Sequence, residues 1–381
     1  MKDKFDLFTL NNPKLDISPK SWICFQGMKL NEILSLLVET ICIENKITKK
    51  QLCNLISKKL KCSNGPAEEI IYLRKQHIPI PILLTLLSLT KHRKIYKNKI
   101  INYTKFLKCN NATSKPIKAL KNLTIPFCKI AGAHAGDGNL YSKIVLEIKN
   151  ETSKNEILII LRKNNCKFKI FKTKKRIRIK LNIDKVDVLK QLTSLREQKN
   201  MTLFITNAIN IADFYESGLK AYQNWILETF GLNVAVKKYS NKRAYRIDFD
   251  NKIIARYLNI FLGFPYGEKT YIVKEPTLIE KSTLSFRIAF LLGYMTFEGH
   301  VCKKRNFVEV SSKSRSIIEN SYSTFQKLNI PMRNIHIDNY GRWVCISKVL
   351  NTYYLKKALI VFEKNTEKWK RLKYKIKNAR L

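Results

Sequence analysis

Three things are scarce in this 381-residue sequence. The first is paired cysteine. Cys24, Cys42, Cys53, Cys62, Cys109, Cys128, Cys166, Cys302 and Cys345 are odd in number and contain no Cys-x-x-Cys pair. A zinc site or disulfide framework is therefore unsupported, and a reducing compartment fits. The second is length in any apolar run. The longest, 78–89, falls short of the roughly 20 residues that span a bilayer. The N-terminal residues also lack the basic-then-apolar pattern of a signal peptide. A soluble intracellular protein, cytoplasmic or nucleoid-associated, is expected. The third is acid: 29 Asp and Glu stand against 72 Lys and Arg, a formal net charge of +43.

That excess runs along the whole chain, and it repels itself unless a polyanion shares the surface. Nucleic acid is the leading partner. An AT-rich genome would enrich lysine but would not by itself deplete acids. The length permits two or three modest cores, so several domains are expected.

The most informative feature is a recurrence. IAGAHAGDG at 130–138 and LLGYMTFEG at 291–299 both run through small and apolar residues for about two helical turns. Each ends in one carboxylate followed by glycine, Asp137-Gly138 and Glu298-Gly299. Each reads as a short helix stopped by glycine. Small residues four apart, Gly132 and Gly136, let a second helix backbone come close. Side by side about a pseudo-two-fold axis, the two helices would bring Asp137 and Glu298 together. Paired carboxylates repel unless something positive lies between them, and hard divalent cations prefer oxygen ligands. Mg²⁺, or Mn²⁺ in its place, is the natural occupant, and such a site suits in-line phosphodiester hydrolysis. One such segment alone would more simply be a helix ending in a turn.

Here the chain resembles the LAGLIDADG, or dodecapeptide, homing endonucleases in their single-chain, two-motif form. The resemblance covers roughly 120–363. LGFPYGEKT at 262–270 is similar to the family's segment between repeats, and VEVSSKSRSIIENSYSTFQKLNIP at 308–331 to the strand and helix that follow a motif. It implies that Asp137 and Glu298 are the metal ligands, and that sheets form a saddle in the major groove of double-stranded DNA. The implied activity is metal-dependent cleavage by a monomer at a long asymmetric site. Phe297 departs from the pattern, where a small residue is usual; Gly136 opposite would have to accommodate its ring. Lys269, Lys313 and Lys348 are candidates to stabilise developing charge. Lys237, Lys238, Lys242, Arg243, Lys303, Arg305, Arg333, His336 and Arg342 are candidates for nucleic-acid contact. Two other readings stay open: a DNA-binding regulator on the same scaffold without cutting, and an RNA maturase. An intein is not expected, since the sequence begins with Met and ends in Ala-Arg-Leu, without the splicing nucleophile and terminal Asn.

The expected fold is α+β: two pseudo-symmetric αββαββα repeats preceded by an all-α, helix-turn-helix-like domain. Residues 1–95 form that domain, with an extended lead-in to about 27. Leu30, Ile33, Leu34, Leu37, Val38 and Ile41 mark one helix face, and Thr48 caps the next helix. The turn at 63–66 opens a third, which would present Ser63, Asn64, Glu68, Glu69 and Tyr72 to bases; a bundle that only docks is the plain alternative. Residues 96–120 read as a basic linker.

The first repeat takes 121–280. Its second strand is expected at Leu203, far beyond Gly138, whereas the matching strand of the second repeat begins at Phe307, soon after Gly299. We therefore expect a β-rich insertion at about 142–200, with strands IVLEIK, EILIILRK, FKIFK and RIRIKLNI and then a helix over 187–198. One strand face carries Lys167, Lys169, Lys172, Lys174, Arg176, Arg178 and Lys180, either for phosphate contact or as a solvated face. The next helix, 212–230, should bury Phe214, and the hairpin after it turns at 240–242. The second repeat takes 281–366. Residues 367–381 form a basic tail, helical or extended.

Overall fold

A computed structural model describes residues 4–13, 16, 19–110, 114–148, 151–166, 168–173, 176–182, 191–192, 202–240 and 243–378. The chain divides into two compact units, one of Met1–Phe5, Asn122–Tyr141 and Ala208–Leu381, the other of Asp6–Lys121 and Ser142–Asn207. Helices and antiparallel sheets occur in both, so the fold is α+β.

The second unit opens on a 3₁₀ turn, Leu7–Leu10, that buries Leu7, Phe8 and Leu10, and a later run of buried side chains, Trp22 to Phe25, leads into strand β1 (Ile23–Gln26). Helices α1 (Leu30–Asn45) and α2 (Lys49–Leu60) follow. The second starts where Thr48 and Gln51 form a reciprocal capping box that satisfies two of the helix's free N–H groups. Both helices end on lysines in the left-handed region, Lys46 and Lys61. Next come α3 (Asn64–Ile71), β2 (His77–Pro79), α4 (Ile80–Leu87), α5 (Arg93–Tyr103), β3 (Phe106–Cys109) and β4 (Ile117–Lys118). The four strands form one sheet in the order β2-β1-β3-β4.

The region is therefore not all helical. The expected lead-in supplies one of the two inner strands because Ile23, Cys24 and Phe25 are fully buried. Likewise 96–120 is not a linker. Ile100, Leu107, Ile117 and Leu120 are buried within it and anchor a lysine-rich stretch that forms part of α5 and the strands β3 and β4.

Past Asn122 the chain forms α6 (Ile125–Ala135) and β5 (Asn139–Ile148). It passes from the first unit into the second within β5. Then come α7 (Glu151–Lys163), β6 (Phe168–Thr173) and β7 (Arg176–Asn182). The expected strand EILIILRK is instead most of α7. Its buried residues Ile157, Leu158 and Leu161 repeat at helical spacing while Ile159 is 64% exposed, so a helical period fits where alternation does not. These residues pack with Leu146, Ile148, Ile177, Ile179 and Leu192 in a core of their own. β7 pairs with β5 on one side and β6 on the other. Lys167, Lys174 and most of 187–198 lie outside the described residues.

Strand β8 (Thr202–Asp213) returns the chain to the first unit. There follow α8 (Glu216–Phe230), β9 (Val236–Lys238), β10 (Tyr245–Asp250) and α9 (Lys252–Arg256), the last running into one π turn. Phe214, expected on the buried face of α8, precedes the helix and is 74% exposed. After the short α10 (Thr277–Glu280) the order repeats: α11 (Leu284–Phe297), β11 (His300–Val301), β12 (Val308–Ser312), α12 (Arg315–Lys327), β13 (His336–Ile337), β14 (Trp343–Ile346) and α13 (Thr352–Ala358). The tail is helical, as α14 (Glu367–Asn378). With α7, β6 and β7 set aside, both halves read αββαββα.

Helices α6 and α11 pack backbone against backbone. A Cβ at Gly132 would fall on the carbonyl oxygen of Phe290, and one at Gly293 on that of Lys129. Only glycine permits that approach, and the approach places the two helix ends side by side.

Candidate active site

Both motif helices begin at threonine, Thr124 and Thr283, and bury most of their length. Little hydrophobic stripe is left to turn outward, so what matters is where they stop. Helix α6 ends at Gly136, whose N–H reaches the carbonyl of Gly132 at 3.2 Å, and Asp137 follows at once. Helix α11 ends at Glu298, whose N–H reaches the carbonyl of Tyr294 at 2.9 Å. A Cβ on Gly136 would meet Glu298 Cγ at 2.8 Å. Gly136 therefore makes room for the glutamate and not for Phe297. The Phe297 ring turns away and packs edge-on against Tyr222, with centroids 6.4 Å apart.

The Asp137 and Glu298 side chains hydrogen-bond to each other. Burial is the largest influence on both and pushes both upward from the ordinary carboxylate range; Asp137 raises Glu298 further, while Lys269 and Lys368 oppose the rise. The atoms of Asp137 are crowded by protein, yet the residue keeps an exposed edge, and Glu298 is half-buried. The pair is thus open on one side.

Two ammonium groups complete the ends of the helices. Lys269 Nζ donates to the carbonyls of His134, Ala135 (3.0 Å) and Gly136. Lys368 Nζ donates to Met295 (3.4 Å), Thr296 (2.9 Å) and Phe297. The last carbonyls of a helix have no partner within it and carry the negative end of its dipole, so a cation there is favoured twice over. Burial nonetheless lowers both lysines to about 8, against the pull of the acids around them. For Lys368 the foremost of those acids is Asp213, ahead of Glu298 and Asp137. Asp213 ends β8, accepts from Tyr215 N at 3.2 Å, and is raised by burial to about 6. The equivalent residue of the second half is Ser312, whose Oγ accepts from Ser314 N at 3.1 Å.

His134 is fully enclosed, with Nε2 2.7 Å from the Tyr222 hydroxyl. Burial, and then Lys269, lowers it to about 3, so it is neutral and props the end of α6.

Of the three lysines proposed from sequence, Lys269 is at the pair. Lys313 instead lies over the Tyr271 ring and donates to its hydroxyl at 3.2 Å, and Lys348 is on the exposed surface. Lys368 and Asp213 were not among the sequence candidates. Lys368 is one lysine in a lysine-rich tail, and Asp213 reads simply as the residue before a helix.

Of the candidates for nucleic-acid contact, Lys237, Lys238, Arg243, Lys303, Arg305, Arg333 and His336 are exposed. Lys242 lies outside the described residues. Register separates the first pair: Lys237 aligns with Arg246 and Ala212, while Lys238 aligns with Tyr245 and Asp213 on the opposite face. Arg246, whose guanidinium sits 4.8 Å from the Tyr239 ring, joins Lys237 on its face as a further candidate. Arg342 is engaged within its own turn, its Nη2 2.7 Å from Asp338.

The donor set fits a hard divalent cation. No group of three His, Cys, Asp or Glu residues suited to a metal occurs among the described residues, so the protein would supply two carboxylates. Mg²⁺ is commonly held by one or two carboxylates, keeping waters and substrate phosphate oxygens for its other positions.

No family model matches the chain. It is 30% identical over 105 residues to elongation factor 2 of Methanopyrus kandleri, covering 28% of this chain and 8% of that protein. It is 29% identical over 90 residues to the probable translation initiation factor IF-2 of Thermococcus kodakarensis, covering 23% of this chain and 8% of that protein. The chain thus spans only a small part of the curated relatives it matches. Among solved structures it is similar to the homing endonuclease I-DmoI in complex with DNA and Ca, at 15% identity, 62% and 89% coverage of the two chains and a TM-score of 0.35. It is also similar to full-length DUF199/WhiA from Thermatoga maritima, at 12% identity, 44% and 52% coverage and a TM-score of 0.28.

Proposed function

We propose that this chain is a metal-dependent endonuclease that cuts both strands of duplex DNA at a long asymmetric site, working as a monomer. The observation that carries this reading is the meeting of Asp137 and Glu298 at the ends of two touching helices, with Lys269 and Lys368 beside them. Burial makes both acids costly to ionise, and an ionised Asp137 makes Glu298 costlier still; a cation between them removes that cost.

Asp137 and Glu298 would hold Mg²⁺ or Mn²⁺. When bound, that ion supplies Lewis-acid charge at the phosphate and lowers the pKa of water. In the reaction, the oxygen of water joins phosphorus, one P–O bond of the backbone breaks, and the departing oxygen gains a proton. Lys269 and Lys368, held near 8, stay mostly charged at neutral pH and set positive charge where negative charge grows. Asp213, raised to about 6, is mostly ionised at neutral pH and can accept a proton from water on its side of the site. Its counterpart Ser312 cannot, so the two halves are chemically unequal. The exposed lysines and arginines of the strands and loops would bind phosphates, with outward side chains reading base edges.

The test is cleavage of a randomised duplex library with Mg²⁺, beside Glu298→Gln and EDTA controls. Discrete products lost in both controls support the nuclease. Binding without products in any divalent ion would refute it.

A further inference from the structure

The second site lysine is not on a loop. It belongs to α14, and the same helix holds the hairpin that follows the motif. Three cations on one face reach three successive places. Lys368 caps α11. Arg371 Nη1 donates to the carbonyl of Val301, in β11, at 3.1 Å. Lys375 Nζ donates to the carbonyl of Lys303 at 3.0 Å and reaches Asn306 Oδ1 at 3.4 Å. Leu372, fully buried on that face, fixes the helix in place. The loop so held exposes Lys303, Lys304 and Arg305 around a concavity that His300, Cys302 and Phe307 also line. It is braced from within by Cys302 N to Phe307 O and Arg305 N to Cys302 Sγ.

The first half has a shorter version. Gly267, two residues before Lys269, donates its N–H to the carbonyl of Leu140 at 2.8 Å. Leu140 stands two residues past Gly138, as Val301 stands two past Gly299. Both lysine carriers thus fasten to the same point of their repeats. In the second repeat the fastening continues to the tip of the hairpin.

We propose that Arg371 and Lys375 are positioning residues that make α14 a rigid bar between a phosphate-binding loop and Lys368. The loop's three cations take the phosphodiester backbone of duplex DNA. Its seating sets the position of the Lys368 ammonium, so cutting by the second half depends on backbone contact at Lys303, Lys304 and Arg305. The proposal rests on the nuclease reading above. Its physical basis is stiffness: the roughly two helical turns between Lys368 and Lys375 move as a unit, and a displacement of about 1 Å at a reacting centre costs up to about a hundredfold in rate.

The test compares Lys375→Met, Lys375→Arg and wild type in single-turnover cleavage, with protein in excess over a supercoiled plasmid carrying the site recovered from the library. Lys375→Met is expected to slow one strand by roughly tenfold, so that nicked circles build up, and Lys375→Arg to restore linear product. The nick should map to the strand opposite the one nicked by Lys269→Met. Equal slowing of both strands, or full recovery at saturating protein, would mean that Lys375 acts only as a charge, and would overturn the proposal. A second measurement needs no cleavage. Acetylation of the free protein with an amine-reactive ester, read by mass spectrometry, should label Lys368 severalfold faster in Lys375→Met than in wild type, with Lys269 unchanged. Unchanged protection of Lys368 would sink the bar even where wild type cuts; a change there in a protein that cuts nothing would leave the bar standing and remove the nuclease.

Discussion

The two repeats share an element order and differ in how each finishes its half of the site. In the first, the ammonium at the helix end comes from a loop: Lys269 follows Gly267, which has a positive φ of 92°. In the second it comes from a helix that also grips the neighbouring hairpin. The first half has a third acid, Asp213, where the second has Ser312. Pseudo-symmetry therefore extends to the scaffold, the carboxylates and the capping cations, and stops at the groups around them. Two helix ends capped from different carriers can be altered one at a time, which two identical halves do not allow.

Removing one carboxylate should have the largest effect. Asp137→Asn and Glu298→Gln are each expected to reduce cutting of both strands by at least about a hundredfold, with DNA affinity kept or slightly raised. Gel-shift titration and strand-resolved cleavage would check it; loss on one strand only would show two independent centres. Next in size, Lys269→Met and Lys368→Met should each slow mainly one strand, by about tenfold to a hundredfold, giving nicks on opposite strands. Identical nicks from both variants would erase the distinction between halves. Gly132→Ala and Gly293→Ala each force a methyl group onto a carbonyl of the partner helix, and should cost about 1–3 kcal/mol or more in urea unfolding. Unequal costs would show which helix yields.

The smallest effect concerns Asp213. Its folded pKa, about 6, exceeds the ordinary 3.8. Folding thus favours the protonated form more than the unfolded chain does. That contribution is fully present below about pH 3.8 and is lost as pH rises through about 6. Asp213→Asn should therefore stabilise the protein at pH 7 by on the order of 1–2 kcal/mol and leave stability unchanged near pH 4, by urea melts at both values. Ser312→Ala should show no such pH dependence.

The carboxylates are legible in sequence because each closes an apolar run before a glycine, twice over. The helices of both repeats are legible for the same reason: apolar period decides them, as Leu219, Tyr222, Ile226 and Phe230 do for α8. What sequence conceals is whichever residue looks like its neighbours. Lys368 has Lys364, Lys370, Lys373, Lys375 and Lys377 around it, and only its reach to three carbonyls separates it from them. EILIILRK carries a continuous apolar run too short to separate strand from helix by pattern, and the buried positions of Ile157, Leu158 and Leu161 decide for the helix. Strand β1 has too few residues to show a period; burial against its neighbours creates it.

The excursion within the first repeat bears on how the site is made. The chain departs within β5, just after Asp137, and comes back within β8, just before Asp213. Lys269, Glu298 and Lys368 lie further along still. The contacts that bring Asp137 to Glu298, Lys269 to the end of α6 and Lys368 to the end of α11 join residues distant in sequence, and each requires a large loop to close before it returns any free energy. During folding, the helices and hairpins can form early and locally. The acids and lysines of the cluster meet only once those loops have closed.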